Sequence, residues 1–446
     1  MLQKNFKAIN YKLWMVLILT SFIPLLYSTT RIHFLGSMPD SWAFSIAAQV
    51  AWLNVGYEVI SEALLIPLAF ILGQAISQSA AFRLRAATSL SFLVMCYAAV
   101  TLVVLLFTPE MVRAMQQQVA LLGQTIQYIR LESIAIFVSS GYAFFNLVLV
   151  LKNKQKALYG LLITQTILTV ACDSLLVSQL PFSLQLGVSG IAITNIIVNL
   201  VLVVIAFQFM SNNGIRILLG DIQFRNQSWL MEWFKIGWKS GLESLVRNTA
   251  FIVMILQLMN QLQHAGTFWV ANQFIWGWLL LPVLALGQLV KQDAATNGGL
   301  TSQRVNSYLW LTAGIVLAWL VTAPQWEEFI RSVMGIDDAE QVAKLVFIMI
   351  GFYVVFALNN VIDSYFYGIG RTDLMLYQSL IVNSLFYGTT FVLYQIGWFE
   401  PTLTRVAVMF GLGITFDALI TWGLYIMLRK SAQPSASKLE CSQSLS

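Results

Sequence analysis

The sequence predicts an all-α membrane protein with about twelve transmembrane helices in two six-helix lobes. Hydrophobic residues make up 58% of the 446 residues and charged residues only 10%, whereas soluble domains carry roughly 25% charged residues. The apolar stretches run for about 20 residues without alternation, which is the pattern of a membrane-spanning helix and not of a barrel strand. Lysine and arginine are concentrated in alternate connecting segments, as expected of a multi-pass protein.

The apolar stretches place each predicted helix. Helices one to six cover 12–34, 43–73, 86–108, 128–151, 157–180 and 187–210, and helices seven to twelve cover 230–262, 266–290, 306–324, 341–368, 374–397 and 402–428. These boundaries predict an N-terminal lobe at 1–210, a cytoplasmic linker at 211–229, a C-terminal lobe at 230–430 and a disordered tail at 431–446. The first apolar run has no A-x-A cleavage pattern, so we expect a retained helix and not a signal peptide.

The distribution of basic residues predicts the orientation of the chain. If the N-terminus is cytoplasmic, 18 of the 25 lysines and arginines lie on the inner side, six lie on the outer side or at outer helix ends, and Arg247 lies within helix seven. A threefold bias of this kind sets orientation. We therefore expect an inner-membrane protein with both termini in the cytoplasm. These loops also account for the net charge of +5, so nucleic-acid binding is not expected.

Weak internal similarity relates the two halves. The segment AAQVAW at 47–52 recurs as ANQFIW at 271–276, and PLAFILGQ at 67–74 recurs as PVLALGQ at 282–288. The matches follow the same order, which predicts six plus six helices in the same orientation. Transporters built from repeats place substrate and ion sites near the middle of the membrane.

Charged residues inside the predicted helices are the candidate functional residues, because each costs about 2.5–3.5 kcal/mol at the bilayer centre. Nine of them are singled out: Arg31, Glu58, Glu62, Glu132, Asp173, Glu243, Arg247, Asp363 and Asp417. Asp173 has the longest apolar flanks, and Thr169 lies one turn before it on the same face. It is either a proton or cation site or a buried aspartate that stabilises helix packing through hydrogen bonds.

Two further acids and one acid–base pair share helix faces. Glu58 and Glu62 are four residues apart, so either one is protonated, a cation lies between them, or both are hydrated at the outer mouth. Glu243 and Arg247 have the spacing of an internal helical ion pair. Asp363 lies near the middle of helix ten, and with Asp417 on helix twelve it suggests a second polar locus.

Several classes of chemistry lack their sequence signatures. The chain has only two histidines and three cysteines, without metal-ligand or redox spacing. It contains no H-E-x-x-H, phosphate-binding G-x-x-x-x-G-K-[ST] or G-x-S-x-G motif. We therefore expect neither an enzyme nor an ATP-driven pump, and no cofactor other than H⁺ or Na⁺ as a coupling ion.

Several segments in series resemble the multidrug and toxic compound extrusion (MATE) family, within the multidrug/oligosaccharidyl-lipid/polysaccharide flippase superfamily. They are LILT at 17–20, LY at 26–27, LG at 35–36, YIR at 128–130, KNK at 152–154, GVSGIAIT at 187–194 and GIGRTD at 368–373. The resemblance implies two six-helix lobes around a cavity that opens alternately to each side, with H⁺ or Na⁺ coupling.

The resemblance also implies site residues. Asp173 matches the acid on helix five at the family's N-lobe cation site, and Thr169 and Thr194 fall near its polar positions. Arg31 stands where the family usually has an aspartate on helix one, and Arg247 stands where one branch has a glutamate on helix seven. These two departures put the usual ion site and the usual preference for cationic drugs in doubt.

The sequence therefore predicts a cation-coupled antiporter that exports an organic solute by alternating access. Asp173, Thr169, Thr194, Glu58 and Glu62 are the predicted coupling residues, with Na⁺ at Asp173 as one possibility, and Arg31, Arg247, Glu243 and Asp363 are predicted to line the solute cavity. For Arg31 we expect a counter-charge on helix two, at Glu58 or Glu62. At least one of the two arginines is predicted to remain partly free for an anionic group.

Two alternative functions remain. A flippase or exporter of a lipid-linked or anionic substrate would use the arginines in the cavity, and an intramembrane enzyme or scaffold would transport nothing. The expected partners are an organic or lipid-like solute and the lipid bilayer, and the protein is expected to be a monomer.

Overall fold

The structure is a computed structural model that describes residues 9–36, 43–152, 154–213, 215, 217, 219–224, 228–296 and 299–432. The described chain is helical, which confirms the predicted fold class. Its long helices, in chain order, are α1 Tyr11–Gly36, α2 Ala43–Gln74, α3 Ser79–Ala114, α4 Val119–Leu151, α5 Gln155–Leu176, α6 Gly187–Asn212, α7 Ser228–Gln261, α8 Ala265–Leu279 with Leu281–Ala294, α9 Ser302–Ser332, α10 Ala339–Gly368, α11 372–395 and α12 Leu403–Ala432.

Most of these helices can cross a membrane. Among the described residues, ten are long and apolar enough, and α8 adds an eleventh if its two halves, bent by 55°, form one span. The helix at the position of the predicted eleventh span, α11, is not among them. The prediction of about twelve transmembrane helices therefore corresponds to ten or eleven candidate spans.

Several helices extend beyond the predicted apolar runs. The α3 helix begins at Ser79, not at 86, and continues to Ala114. The α9 helix, with its short 3₁₀ break, continues to Ser332. Hydropathy detects only the part of a helix that can lie in hydrocarbon, and the backbone hydrogen bonds continue into the polar flanks.

The described residues form two compact units. The N unit comprises the described residues of Ile23–Ala271 and Glu327–Val342, and the C unit comprises those of Met1–Phe22, Asn272–Trp326 and Ala343–Ser446. In this division α7 packs within the N unit. The two predicted lobes and their linker remain a prediction. Of the predicted tail at 431–446, residues 431 and 432 belong to α12, and 433–446 lie outside the described residues.

In the N unit, α7 packs closely against α2. Gly237 and Gly241 lie one turn apart on α7, and a Cβ atom at either position would collide with Ala63 of α2. The Trp233 indole of α7 also donates to the Leu64 carbonyl of α2, at 2.8 Å. Small residues at this spacing allow two membrane helices to approach closely. Around this contact, the α2 backbone forms a π-helical turn at Ser61–Leu65.

In the C unit, α8 bends at a proline. Pro282 follows the break at Leu280, and a proline has no N–H to donate to the preceding turn. Two tryptophans bind the carbonyls at this bend. Trp319 of α9 donates to Leu279 at 3.1 Å, and Trp14 of α1 donates to Pro282 at 3.1 Å. Both of these carbonyl groups at the bend therefore have a side-chain hydrogen-bond donor.

Candidate cation and solute sites

A buried ion pair joins α1 to α5 in the N unit. Arg31 Nε lies 2.8 Å from Asp173 Oδ2, and Arg31 Nη2 lies 3.3 Å from Asp173 Oδ1. The Asp173 side chain is 3% exposed and the Arg31 side chain 17%. This two-bond geometry is the strongest arrangement of a guanidinium with a carboxylate.

The partner of Arg31 differs from the prediction. We expected Glu58 or Glu62 of α2, but the counter-charge is Asp173 of α5. The error has a simple cause. Helix two was the expected partner because it directly follows helix one in the sequence. The true partners, Arg31 and Asp173, are 142 residues apart along the chain.

Polar residues of α4, α5 and α6 are buried in the same unit as this pair. Thr169 and Thr194 are among them, but neither hydrogen-bonds Asp173 in the described structure, and the Thr194 hydroxyl has no partner there. The amide of Asn195 donates to both oxygens of Glu132, at 3.0 and 3.1 Å.

Glu132 extends the charged cluster, because it lies within electrostatic range of Arg31. The sequence marks Glu132 only as a charge inside a helix, without a role. The available signal was its position about one turn into the predicted apolar run at 128–151, in the same predicted lobe as Asp173.

A second charged cluster lies between α2 and α7. Arg247 Nη1 contacts Glu243 Oε1 on its own helix, and Arg247 Nη2 lies 2.7 Å from Glu58 Oε1. The structure thus contains the Glu243–Arg247 pair that the spacing predicted and adds Glu58 as a second acid. The side chains of Arg247 and Glu58 are 42% and 34% exposed, so this cluster is much more open than the Arg31–Asp173 pair.

The close approach of α2 and α7 explains this second cluster. Gly237 and Gly241 bring the two backbones together, and Arg247 lies only six residues beyond Gly241 on the same helix. Glu62 is half-buried within the π-helical turn of α2, one turn beyond Glu58. Glu58 therefore binds the Arg247 guanidinium.

A third cluster lies in the C unit and joins α10, α11 and α12. It contains both acids of the predicted second polar locus, Asp363 and Asp417. Asn359, Gln378 and Thr421 bind them through hydrogen bonds. These three residues were not predicted as site residues, although Asn359 and Thr421 each lie one turn from an acid and on its helix face.

No metal centre is evident in the described residues, which contain no group of three or more His, Cys, Asp or Glu side chains that could hold a metal ion. A site for Na⁺ would therefore need hydroxyl, amide or carbonyl oxygens beside its carboxylates.

The fold is that of the MATE transporters of the MOP superfamily. An inward-facing multidrug resistance MATE family transporter matches with a TM-score of 0.77 at 15% identity, over 94% of this chain and 96% of that one. An outward-facing transporter of the same family matches with a TM-score of 0.67 at 14% identity, over 95% of each chain.

A third similar structure is an aspartate-to-asparagine mutant of the Vibrio cholerae MATE transporter VcmN, with a TM-score of 0.66 at 14% identity and 98% of each chain covered. No protein-family model and no curated protein matches the sequence. The structural likeness establishes a multi-pass membrane fold of MATE type over nearly the whole chain.

Proposed function

We propose that this protein is a secondary antiporter, which exports an organic solute by alternating access in exchange for H⁺ or Na⁺. The observation that carries the proposal is the Arg31–Asp173 pair, an ionised pair buried between two membrane helices of a MATE-type fold. Ionisable residues inside membrane helices are costly, and they commonly mark ion or substrate pathways.

In this proposal, Asp173 is the coupling carboxylate and Arg31 is a tethered cation that competes with the coupling ion. An arriving H⁺ or Na⁺ must displace the guanidinium from Asp173. Separating one partner of a buried pair costs about 3–5 kcal/mol. One pH unit supplies about 1.4 kcal/mol, and one charge crossing 100 mV supplies about 2.3 kcal/mol. The driving force and the cost are therefore comparable, so ordinary gradients suffice to shift the pair.

The alternative is a flippase or exporter for a lipid-linked or anionic substrate. One observation favours it. Arg31 uses Nε and Nη2 to bind Asp173, and its Nη1 donates to no other described residue. A phosphate or carboxylate on the solute would fit this remaining edge of the guanidinium. Arg247 supports this alternative less, because both of its terminal nitrogens already bind carboxylates.

Transport by purified protein in proteoliposomes tests the proposal. Fluorescent cationic and anionic solutes are supplied, and efflux is measured under an imposed pH gradient, an imposed Na⁺ gradient, or neither. We expect gradient-driven transport that an uncoupler or ionophore abolishes. Equilibrative movement of anionic solutes, unaffected by the uncoupler, would favour the flippase alternative, and no movement of any solute would reject both.

Substitution of Asp173 tests its role. Asp173→Asn keeps the shape and the hydrogen-bonding capacity of the side chain, so it should fold yet lose gradient-driven transport. Glu400→Gln is the matched control, because Glu400 is an exposed carboxylate that pairs with Arg405. If Asp173→Asn transports like the Glu400→Gln control, Asp173 is not the coupling residue.

A further inference from the structure

The last turn of α7 carries three amide side chains on one helix face. Gln257, Asn260 and Gln261 are three and four residues apart, which places them side by side on a helix. Asn260 is buried, Gln257 is half-buried and Gln261 is exposed. Gln261 donates to the side chain of Gln116, in the turn between α3 and α4. The three amides therefore run from the buried interior to a water-accessible edge of the N unit.

These amides bind the end of α3. The α3 helix ends at Ala114, and the last carbonyls of a helix have no partner within that helix. Gln257 Nε2 donates to the Ala114 carbonyl at 3.3 Å, and Asn260 Nδ2 donates to the Met115 carbonyl at 2.7 Å. The last turn of α7 thus supplies donors that α3 itself cannot provide.

Asn260 also forms a reciprocal amide pair with α2. Gln49 Nε2 donates to Asn260 Oδ1 at 2.8 Å, and Asn260 Nδ2 donates to Gln49 Oε1 at 2.9 Å. Gln49 Nε2 also donates to the Ser45 carbonyl at 2.9 Å. Gln49 is 0% exposed and Asn260 is 3% exposed. Each NH₂ group therefore makes two hydrogen bonds and each amide oxygen accepts one, so this buried pair is fully satisfied.

The contact between α7 and α2 differs on the two sides of a π-helical turn in α7. Before this turn, Gly237 and Gly241 bring the α7 backbone against Ala63. The π-helical turn follows at Ile252–Leu256, and beyond it the side-chain amide of Asn260 makes the contact. Sharp bends in helices commonly occur at π-helical turns, which are frequent at functional sites. A bend here moves the last turn of α7 and leaves the glycine contact in place.

Neutral amides suit a contact that opens and closes. Separating a buried ion pair leaves two charges without partners, which is costly in a membrane protein. Gln49 and Asn260 carry no charge, and water can replace each hydrogen bond that they lose at a small net cost. Water already reaches the edge of the cluster at Gln261, which is exposed.

We propose that Gln49 and Asn260 form a latch, which holds the last turn of α7 against α2 and α3 and opens during transport when α7 bends at its π-helical turn. This end of α7 is predicted to face the outside, so the latch belongs to the outer side of the transport cycle. Its part in transport rests on the proposed function, but its opening does not.

Cross-linking in a cysteine-free protein tests whether the latch must open. Gln49→Cys and Asn260→Cys are joined by a short bifunctional thiosulfonate that a reductant removes. Joining should lower solute efflux from proteoliposomes at least tenfold, and reduction should restore it in the same sample. Gln74→Cys with Glu232→Cys is the matched control, because this hydrogen-bonded pair joins α2 to the start of α7, before the glycine contact. Its efflux should stay within twofold. Full efflux from the joined latch, or equal losses from both pairs, would overturn the proposal.

Labelling of a buried cysteine tests the opening without transport. Leu53 is 1% exposed and lies four residues after Gln49 on α2, so Leu53→Cys should react slowly with a charged thiosulfonate. Adding Asn260→Leu should raise the labelling rate at least tenfold, whereas adding the control Gln74→Leu should leave it within twofold. Gln49→Leu is a second variant with the same expected rise, and the unfolding midpoint of each variant separates local opening from loss of the fold.

The outcomes distinguish this proposal from the proposed function. An unchanged labelling rate in both latch variants, or an equal rise in the Gln74→Leu control, would overturn the latch. If the cysteine-free protein moves no solute before any cross-link is made, the proposed function fails, and the labelling rates still decide whether Gln49 and Asn260 hold this end of α7 closed.

Discussion

Removing the Arg31 guanidinium should destabilise this protein more than removing the Asp173 charge. In Arg31→Met the carboxylate of Asp173 stays almost fully buried and loses both of its hydrogen bonds, which costs about 3–5 kcal/mol. In Asp173→Asn the arginine is left, and its partly exposed head on a flexible stem can reorient toward water, so we expect about 2 kcal/mol. The double variant should cost less than the sum, with a coupling energy of about 2–3 kcal/mol.

A double-mutant cycle measures this coupling. Equilibrium unfolding in mixed micelles is followed by tryptophan fluorescence for the wild type, both single variants and the double variant. The control cycle uses Arg405→Met and Glu400→Gln, a pair separated by 3.5 Å with side chains 57% and 82% exposed, for which we expect less than about 1 kcal/mol. A coupling energy for the buried pair no larger than that of the control would refute the argument that Asp173 depends on Arg31 for its charge.

Three further predictions follow from the fold and the topology. In a cysteine-free protein, a cysteine placed at Asn153 should react with a membrane-impermeant reagent only after the cells are opened. A cysteine placed at Asp338 should react in intact cells. The reverse pattern would mean that both termini lie outside the cytoplasm. Gly237→Ala should destabilise the protein by about 1–3 kcal/mol, because the added Cβ meets the α2 backbone. Gly314→Ala is the control and should be neutral in the same unfolding assay, because its Cβ would have nothing within 4 Å. Equal effects of the two variants would contradict the close contact between α7 and α2. Trp319→Phe should cost about 1–2 kcal/mol by leaving a carbonyl at the α8 bend without its donor, and an unchanged midpoint would mean that the bend does not need it.

The fold class was predictable because lipid imposes a simple rule on sequence. A membrane-spanning helix must be apolar over about 20 residues, and this pattern is visible without any knowledge of contacts. The α11 helix shows the limit of the rule. It is helical over 372–395, yet its polar residues keep it below the hydropathy of a candidate span, and one of them, Gln378, binds Asp417.

The partners of the buried charges were much less predictable. Spacing along one helix correctly paired Glu243 with Arg247, because residues four apart must be neighbours. Spacing says nothing about which helices touch, so the partner of Arg31 was misassigned and Glu58 was not linked to Arg247. The G-x-x-x-G pattern of Gly237 and Gly241 was the signal that α7 packs closely against another helix, although it does not name that helix.

The two ion-pair clusters of the N unit bear on the charge of the proposed solute. Arg31 and Asp173 neutralise each other. Arg247 offers one positive charge to two carboxylates. These ion pairs are therefore acidic on balance, in spite of the two arginines that stand where acids were expected. A field of this sign attracts cations and repels anions. For the proposed transport we therefore expect a cationic solute, because an anionic solute would have to bind at Arg31 and displace Asp173.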